Sequence, residues 1–461
     1  MPSPHSLADW LALLENRHPV AIELGLDRVA EVAARLRLAR PAPLVISVAG
    51  TNGKGSCVAM LEALLRQAGV RVGTYTSPHL VRYNERVRID GSEVTDAALC
   101  AAFARIEAAR GDVRLTYFET GTLAALLLFG AAEVEVAVLE VGMGGRLDAV
   151  NLIDPDIAVI TSIDLDHQAW LGHDRDAIGV EKAGIARPGV ITVCGDPNPP
   201  PAMLAALSAL GSPTLLLGHD GFALGSTETG LELHCVAVDG TPHRYPGLPS
   251  PQLPPGSAAC AVQALVILGR PPEPTQVTSA FRHTGLAGRF QQLTWQGRQL
   301  ILDVAHNPAA ATLLAARLTA LKLPADRIHG VVGALADKDL AGLLGPLVST
   351  VGHWHCCDLP GVGRAATATS LAAVLYNAAE VATAEVRGDD QDRIRAVGCH
   401  PDPATGLAAA IECSLSGDLI LVFGSFHTLA PVLAELAPVL AELAPMLAEL
   451  TDGTGEGESH E

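Results

Sequence analysis

The sequence predicts an α/β protein of two domains, each built on a largely parallel sheet. Strand-like and helix-like segments alternate along most of the 461 residues, and the strand-like segments are apolar throughout instead of alternating. A chain of this length exceeds one ordinary hydrophobic core, which favours two domains. The pattern predicts nine strands: 44–49, 71–76, 134–141, 156–163, 190–194, 300–305, 328–333, 351–357 and 418–424.

A glycine-rich turn, residues 50–56 (Gly-Thr-Asn-Gly-Lys-Gly-Ser), follows the first candidate strand and precedes a helical pattern. Backbone N–H groups, a lysine and the dipole of the following helix together surround phosphate oxygens in such turns. The general pattern fails at two places, because Val48 replaces the first glycine and Gly55 separates Lys54 from Ser56. An ordinary glycine turn is the alternative, but we favour a nucleoside triphosphate site in a P-loop-type domain.

Composition excludes several classes of partner. The formal charge of −19 disfavours nucleic acid and anionic membranes. The longest apolar run, 123–130, is far short of the roughly 20 residues of a membrane span. Nine scattered cysteines without a C-x-x-C pair suggest neither zinc nor disulfides, which fits a reducing cytosol. The N-terminus lacks a basic stretch followed by an apolar one, so we expect no secretory signal and a cytoplasmic protein.

Polar residues follow the predicted strands, at the edge where open parallel sheets bind ligands. They are Ser77, Glu140, His167, Asp303, His306 and the segment 424–427. A carboxylate such as Glu140 suits magnesium, although a salt bridge to Arg146 would also explain it. Other polar residues also have alternative explanations. Asp148 could be a helix N-cap, and His167 could have a structural role. Lys182 could lie on a solvated helix face.

The other regions are less regular. Residues 197–257 are rich in Pro and Gly, which indicates irregular or small antiparallel structure appended to the first domain. A second α/β block, Rossmann-like and smaller, begins near Leu293. We therefore expect domains at 1–289 and 290–429, with Arg289 at the hinge or on the surface. Three seven-residue repeats in 430–450 each contain a proline, which favours a kinked or broken helix over a coiled coil, and 451–461 reads as disordered.

Nine segments occur in an order that is specific in combination. They begin at Ala49, Ser77, Leu115, Glu140, Leu165, Glu181, Gly288, Asp303 and Gly424, and read AGTNGKGS, SPHL, LTYFE, EVGMGGRLDA, LDH, EKAGI, GRF, DVAHNP and GSFH. Together they resemble the folylpolyglutamate synthase and dihydrofolate synthase family, within the Mur-type amide ligases, from about residue 8 to 430. The glycine before Ser56 is the usual form in that family.

The resemblance implies roles for individual residues. Thr51, Asn52, Gly53 and Lys54 hold the ATP phosphates, and Ser77, Glu140 and His167 bind two magnesium ions. Lys182 is carbamylated by carbon dioxide and becomes a further metal ligand. Arg289 and Asp303 reach ATP, and His306 assists at the phosphates, so Lys54, Lys182 and His306 form the catalytic set. Ser257 stands where the family usually has an asparagine that contacts adenine.

The resemblance also implies the reaction. Dihydropteroate or a reduced folate is the acid, L-glutamate the amine and ATP the co-substrate, in a bifunctional enzyme that we expect to be monomeric. The segments that resemble the folate-binding ones are Asn16, Arg17, His18 and Pro19; Thr116, Tyr117, Phe118 and Glu119; and Leu147, Asp148 and Ala149. Tyr117 and Phe118 could instead be core aromatics. The alternatives are a polyglutamylase alone, a ligase for peptidoglycan precursors, or a nucleotide-binding protein without activity.

Overall fold

The computed structural model describes residues 4–18, 23–219, 221–385 and 394–436. Its two compact units are Met1–Arg289 and Phe290–Glu461. Pro19 and the repeats beyond residue 436 lie outside the described residues, whereas residues 426–436, including Pro431, are helical. Among the described residues, no helix combines the length and the apolar character that crossing a membrane requires.

The described residues of the first unit form eleven strands: β1 (Leu44–Ala49), β2 (Val72–Tyr75), β3 (Val87–Ile89), β4 (Ser92–Glu93), β5 (Val136–Glu140), β6 (Ile157–Ile160), β7 (Thr192–Cys194), β8 (Thr214–Leu216), β9 (Ala223–Thr227), β10 (Gly230–Val236) and β11 (Pro242–Leu248). Its helices are α1 (Leu7–Arg17), α2 (Asp27–Arg35), α3 (Lys54–Gln67), α4 (Asp96–Arg110), α5 (Tyr117–Ala131), α6 (Gln168–Leu171), α7 (Arg175–Ala183), α8 (Pro201–Leu210), α9 (Pro255–Ile267) and α10 (Pro274–His283). Two short 3-10 segments, Tyr83–Arg86 and Ala149–Leu152, complete it.

The main sheet of this unit has the order β4-β3-β2-β5-β1-β6-β7-β8. It is parallel from β2 to β8, and β3 and β4 add an antiparallel edge. Successive residues of β1 enter different cores: Val45 packs into one cluster, and Ile46 into the cluster formed with α3 and α9. Both faces are therefore covered, which is why the strands are continuously apolar. Val48 pairs with Glu140, so this carboxylate lies level with the start of the phosphate loop.

Residues 197–257 confirm the expected antiparallel structure, since β9, β10 and β11 form a three-stranded sheet. The same region also contains α8, which the proline-rich sequence led us to overlook. Pro201 is the first residue of α8, a position that suits proline because its missing N–H has no partner there anyway.

The second unit contains the strands β12 (Gln291–Trp295), β13 (Arg298–Asp303), β14 (Ile328–Val332), β15 (His353–Cys357), β16 (Ala396–His400) and β17 (Leu419–Phe423). Its helices include α11 (Pro308–Ala320), α12 (Leu340–Leu344), α13 (Ala368–Glu385) and α14 (Pro403–Cys413), in addition to the helical residues 426–436. The sheet order is β12-β13-β17-β14-β15-β16, and only β12 is antiparallel to its neighbour. The predicted class, an α/β protein with a parallel sheet in each of two domains, is confirmed.

Candidate active site

The loop between β1 and α3 has backbone angles that glycine adopts readily. Gly50 has φ 147° and Gly53 has φ 85°, both rare for other residues. A Cβ at Gly50 would lie 2.0 Å from Thr161 Oγ1, and one at Gly53 would lie 2.2 Å from Ser257 Oγ. The loop is held from β6, because Thr161 Oγ1 donates to the carbonyl of Asn52 at 2.6 Å. Ser257, in the first turn of α9, thus packs directly against the phosphate loop.

Two lysines converge on one carbonyl oxygen of this loop. Lys54 Nζ donates to Gly50 O at 3.0 Å, and Lys182 Nζ, from α7, donates to the same oxygen at 2.9 Å. Burial lowers the pKa of Lys182 to about 7, and the positive charge of Lys54 contributes to the same shift. Burial also lowers the pKa of Lys54, opposed by the nearby carboxylates of Glu140 and Asp166.

Asp166 is part of this cluster although we did not predict a role for it. Asp166 is 8% exposed, and its negative charge opposes the lowering of the pKa of both Lys54 and Lys182. Its position just beyond β6, at the binding edge of the sheet, was the available signal.

Glu140, the last residue of β5, is a buried carboxylate next to Ser77. The backbone N–H of Ser77 donates to Glu140 Oε2 at 3.2 Å. Burial raises the pKa of Glu140, opposed first by the charge of Lys54 and also by that of Arg289. The alternative explanation, a salt bridge to Arg146, is not what the structure has, since Arg146 pairs with Glu181 at 2.7 Å.

His167 has a left-handed backbone with φ 50° and directly precedes α6. Its side chain is 40% exposed, and its Nε2 lies 3.8 Å from Asp166 Oδ2. The ring therefore borders the lysine and carboxylate cluster through Asp166.

Asp148 has the structural role that we weighed for it. Its carboxylate accepts hydrogen bonds from the N–H groups of Met143 at 2.9 Å and Val150 at 3.0 Å, which caps the 3-10 segment Ala149–Leu152. Burial raises the pKa of Asp148 to about 6. Leu147 is half-buried beside it, whereas Ala149 is buried.

The segment 116–119 begins α5. Thr116 and Glu119 form a capping box, and Glu119 also accepts from Arg28 Nη2 at 3.0 Å. Tyr117 and Phe118 are half-buried, so neither is a fully enclosed core residue. The Phe118 ring lies against the glycine-rich loop after β5, where a Cβ at Gly142 would be 2.6 Å from it.

The segment 16–18 is occupied by local contacts. Asn16 Nδ2 donates to Ala12 O within α1 at 2.8 Å, Arg17 pairs with Glu107 of α4, and His18 Nε2 lies 3.1 Å from Glu23 Oε2. Residues that follow this segment contact the other two candidate folate-binding segments, 116–119 and 147–149. The N–H of Gly25 donates to Leu147 O at 3.1 Å, in addition to the contact between Arg28 and Glu119.

Arg289 ends the first unit, and its charge acts on both Lys54 and Glu140. In the second unit, Asp303 accepts from the N–H of Phe290 at 2.8 Å and from that of Ala305 at 2.8 Å. His306 Nδ1 lies 2.8 Å from Val304 O. These contacts fix the chain at the end of β13.

Comparison with known proteins agrees with this geometry. The profile of the Mur ligase middle domain matches residues 48–189, and that of the Mur ligase, glutamate ligase domain matches residues 288–426. Dihydrofolate synthase/folylpolyglutamate synthase of Escherichia coli is 44% identical over 427 residues, which cover 93% of this chain and 94% of the relative.

Two solved structures share the whole architecture. Escherichia coli FolC in complex with DHPP and ADP has a TM-score of 0.85 and 42% identity, over 95% of this chain and 99% of that one. The Yersinia pestis bifunctional folylpolyglutamate synthase/dihydrofolate synthase, complexed with AMPPNP and Mn ion, has a TM-score of 0.83 and 42% identity, over 94% and 99%.

A phosphate loop on a parallel sheet, joined to a second α/β unit with the glutamate ligase profile, defines an ATP-dependent ligase of the Mur type. Within that class, the chain belongs to the dihydrofolate synthase/folylpolyglutamate synthase family.

Proposed function

We propose that this protein joins L-glutamate to dihydropteroate, giving dihydrofolate, and to the γ-carboxylate of reduced folates, giving folylpolyglutamates. The observation that carries the proposal is the pair of lysines on Gly50 O, half-buried Lys54 and buried Lys182, close to the buried carboxylate of Glu140. The 44% identity to a relative named for both activities supports the same substrates.

In the proposed reaction, the loop N–H groups and Lys54 bind the phosphates of ATP. The carboxylate of the acid attacks the γ-phosphorus, the bond to the β–γ bridging oxygen breaks, and an acyl phosphate and ADP result. The amine of glutamate then attacks the carbonyl carbon and loses a proton, and phosphate leaves. Lys54 stabilises the charge that develops on the phosphoryl oxygens.

Glu140 fits a hard divalent cation. It is 4% exposed, and no lysine, arginine or histidine of the described chain forms a salt bridge with it. The charges of Lys54 and Arg289 offset only part of the cost of burying this carboxylate, because burial still raises its pKa. Mg²⁺ held by Glu140, Ser77, His167 and the carbamate of Lys182 would offset the charge of the transferring phosphoryl group. A relative that binds Mn with AMPPNP supports this proposal.

Carbamylation of Lys182 requires its neutral amine. The Nζ forms a bond to the carbon of CO2 and loses a proton, so that a cation becomes an anionic oxygen ligand. A pKa of about 7 makes the neutral amine available at neutral pH.

We propose that the segments 116–119 and 147–149 bind the pterin part of the acid, where the half-buried rings of Tyr117 and Phe118 suit a flat heterocycle. Asn16, Arg17 and His18 are weaker candidates because their side chains make the local contacts described above. The roles of Asp303, His306 and Ser257 at ATP, and a monomeric state, stay predictions. Nine free thiols support a reducing, cytoplasmic location.

Product analysis by mass spectrometry tests the proposal. The protein is incubated with ATP, Mg²⁺ and glutamate, together with dihydropteroate, tetrahydrofolate or a nucleotide-linked muramyl acid. We expect products heavier by one glutamyl residue with dihydropteroate, and by one or more with tetrahydrofolate. Product from tetrahydrofolate alone would show that the protein is only a polyglutamylase. Product from the muramyl acid alone would show that it is a ligase for peptidoglycan precursors.

A further inference from the structure

Arg86 lies next to the candidate active site but has no role in it so far. It ends the 3-10 segment before β3, and its carbonyl accepts from the N–H of Thr76 at 2.9 Å. The following residue, Ser77, donates its own N–H to Glu140. The backbone of Arg86 is therefore bonded to the residue adjacent to a proposed metal ligand.

The direct contacts of the Arg86 guanidinium are to neutral groups, and its charge acts on the Glu140 carboxylate without a salt bridge. Arg86 is 8% exposed, and its carbon Cζ lies 5.2 Å from the ring centre of Tyr83 and 5.5 Å from that of Tyr117. Its Nε donates to His79 Nδ1 at 2.8 Å. Because Arg86 Nε is the donor, His79 Nδ1 accepts this bond without a proton of its own, so the ring is a neutral imidazole.

No carboxylate among the described residues forms a salt bridge with Arg86. Arginine remains charged when buried, and an unpaired buried charge costs free energy. Only one of its five N–H donors is used by His79, which leaves a planar fork that matches a carboxylate. A bound anion would pair with this guanidinium and offset the cost of burying its charge.

The neighbours of Arg86 indicate which anion this is. Tyr117 belongs to the segment proposed for the pterin part, and Ser77 and Glu140 belong to the proposed phosphoryl-transfer site. The group of the acid substrate that connects these two regions is its reacting carboxylate. We infer that Arg86 binds and orients the carboxylate of the acid substrate, between Tyr83 and Tyr117; this inference rests on the proposed function.

The test compares two ligands: dihydropteroate and its analogue with a phenyl group in place of the benzoate. Binding to the nucleotide-free protein is measured by quenching of intrinsic fluorescence. We expect Arg86→Gln to weaken dihydropteroate about 30-fold, the usual scale for a lost charge-assisted pair, and to change the analogue less than twofold. Arg86→Lys should give an intermediate loss, because an ammonium is a point charge without the fork. Arg82→Gln, on the same loop with a 63% exposed side chain, is the matched control.

Steady-state kinetics provide the second measurement. The KM for dihydropteroate should rise in Arg86→Gln while the KM for ATP stays within about twofold. Equal losses for both ligands, a loss confined to ATP, or no change would each overturn the inference. If Arg86→Gln does not fold, the same measurements on Arg86→Lys test the inference: binding of dihydropteroate against the phenyl analogue, and the KM for dihydropteroate against that for ATP. A wild-type protein that makes no product from any folate would instead reject the proposed function, so the two failures are distinguishable.

Discussion

Lysine is scarce in this chain, which has four, and two of them donate to the same carbonyl. Two ammonium groups this close repel each other, and Asp166 offsets only part of that repulsion. Burial first, and this repulsion second, lower the pKa of Lys182 to about 7, which relieves the conflict. One amine can lose its proton near neutral pH, while Lys54 keeps the attraction of Glu140.

Lys182 should therefore carry a carbamate in solution. In protein equilibrated with ¹³CO2, we expect one carbamate resonance in the ¹³C NMR spectrum, which weakens as the pH falls below about 7 because the amine protonates. Lys182→Gln should lack the resonance and lose about 100-fold or more in kcat. Lys322→Gln, an exposed lysine, is the control and should keep both. A resonance that survives in Lys182→Gln would contradict the assignment.

Removing the charge of Lys54 in the phosphate loop, or that of Glu140 beside it, should nearly abolish turnover. Lys54→Ala and Glu140→Gln should each lower ATP- and glutamate-dependent phosphate release about 100- to 1000-fold, because each loses a preorganised charge in a buried site. Glu135→Gln, just before β5 and exposed, serves as the control. Near-normal phosphate release by folded Glu140→Gln would refute the proposed role of this carboxylate.

At the scale of elements, the loop geometry makes Gly53 a more sensitive position than Gly69, which has a similar left-handed backbone. Gly53→Ala should raise the KM for ATP about tenfold, since a Cβ would lie 2.2 Å from Ser257 Oγ in addition to the backbone strain. Gly69 has a similar φ of 71° but open space around it, so Gly69→Ala should cost only about 1 kcal/mol of unfolding free energy and leave the KM unchanged. Equal kinetic effects of both variants would show that the contact with Ser257 is unimportant.

The main strands could be predicted because both faces of each sheet are covered. All nine predicted strands form, with ends that differ by a few residues. The strands β3, β4, β8, β12 and β16 were not among the nine. Of these, β16 lies at the sheet edge, and its residues are half-buried or exposed instead of continuously apolar. Helix α8 was missed because its prolines suggested a loop, although one of them starts the helix.

The parts of the candidate site that lie in one contiguous motif could be predicted from the sequence. The parts formed by residues that are distant along the chain were harder to predict. The loop 50–56 follows directly from local sequence. The bond from Lys182 to Gly50 spans 132 residues, and only the family resemblance assigned Lys182 to the site, as a metal ligand. The importance of Asp166 depends on its distance from two lysines, and the buried environment of Arg86 depends on rings from two separate segments. The spacing of residues along the sequence does not indicate either set of contacts.

At the scale of the whole molecule, the second unit contains an acid-sensitive layer of histidines. His329 and His353 stack at 4.5 Å between ring centres, and His355 Nδ1 lies 3.2 Å from His400 Nε2. Burial lowers the pKa of His329 and of His355 to about 4 each. Asp418, 3.9 Å from His329, is the nearest opposing charge to that ring.

This layer predicts a loss of stability in mild acid. The unfolded chain takes up protons below about pH 6.5, while the folded one resists until about pH 4. The free energy of unfolding should therefore fall by up to about 1.4 kcal/mol per pH unit for each of the two groups within that interval. His329→Leu should reduce the slope, measured by urea unfolding from pH 7.5 to 4.5, and the exposed control His173→Leu should not. An unchanged slope in His329→Leu would exclude this cause.

The central claim is that the acid is activated by phosphoryl transfer before glutamate attacks. Dihydropteroate labelled with ¹⁸O in both carboxylate oxygens tests it, because the oxygen that joins carbon to phosphorus in the acyl phosphate leaves with phosphate. Mass spectrometry of the released phosphate should show one ¹⁸O per molecule of dihydrofolate formed. Unlabelled phosphate accompanying labelled dihydrofolate would contradict the account.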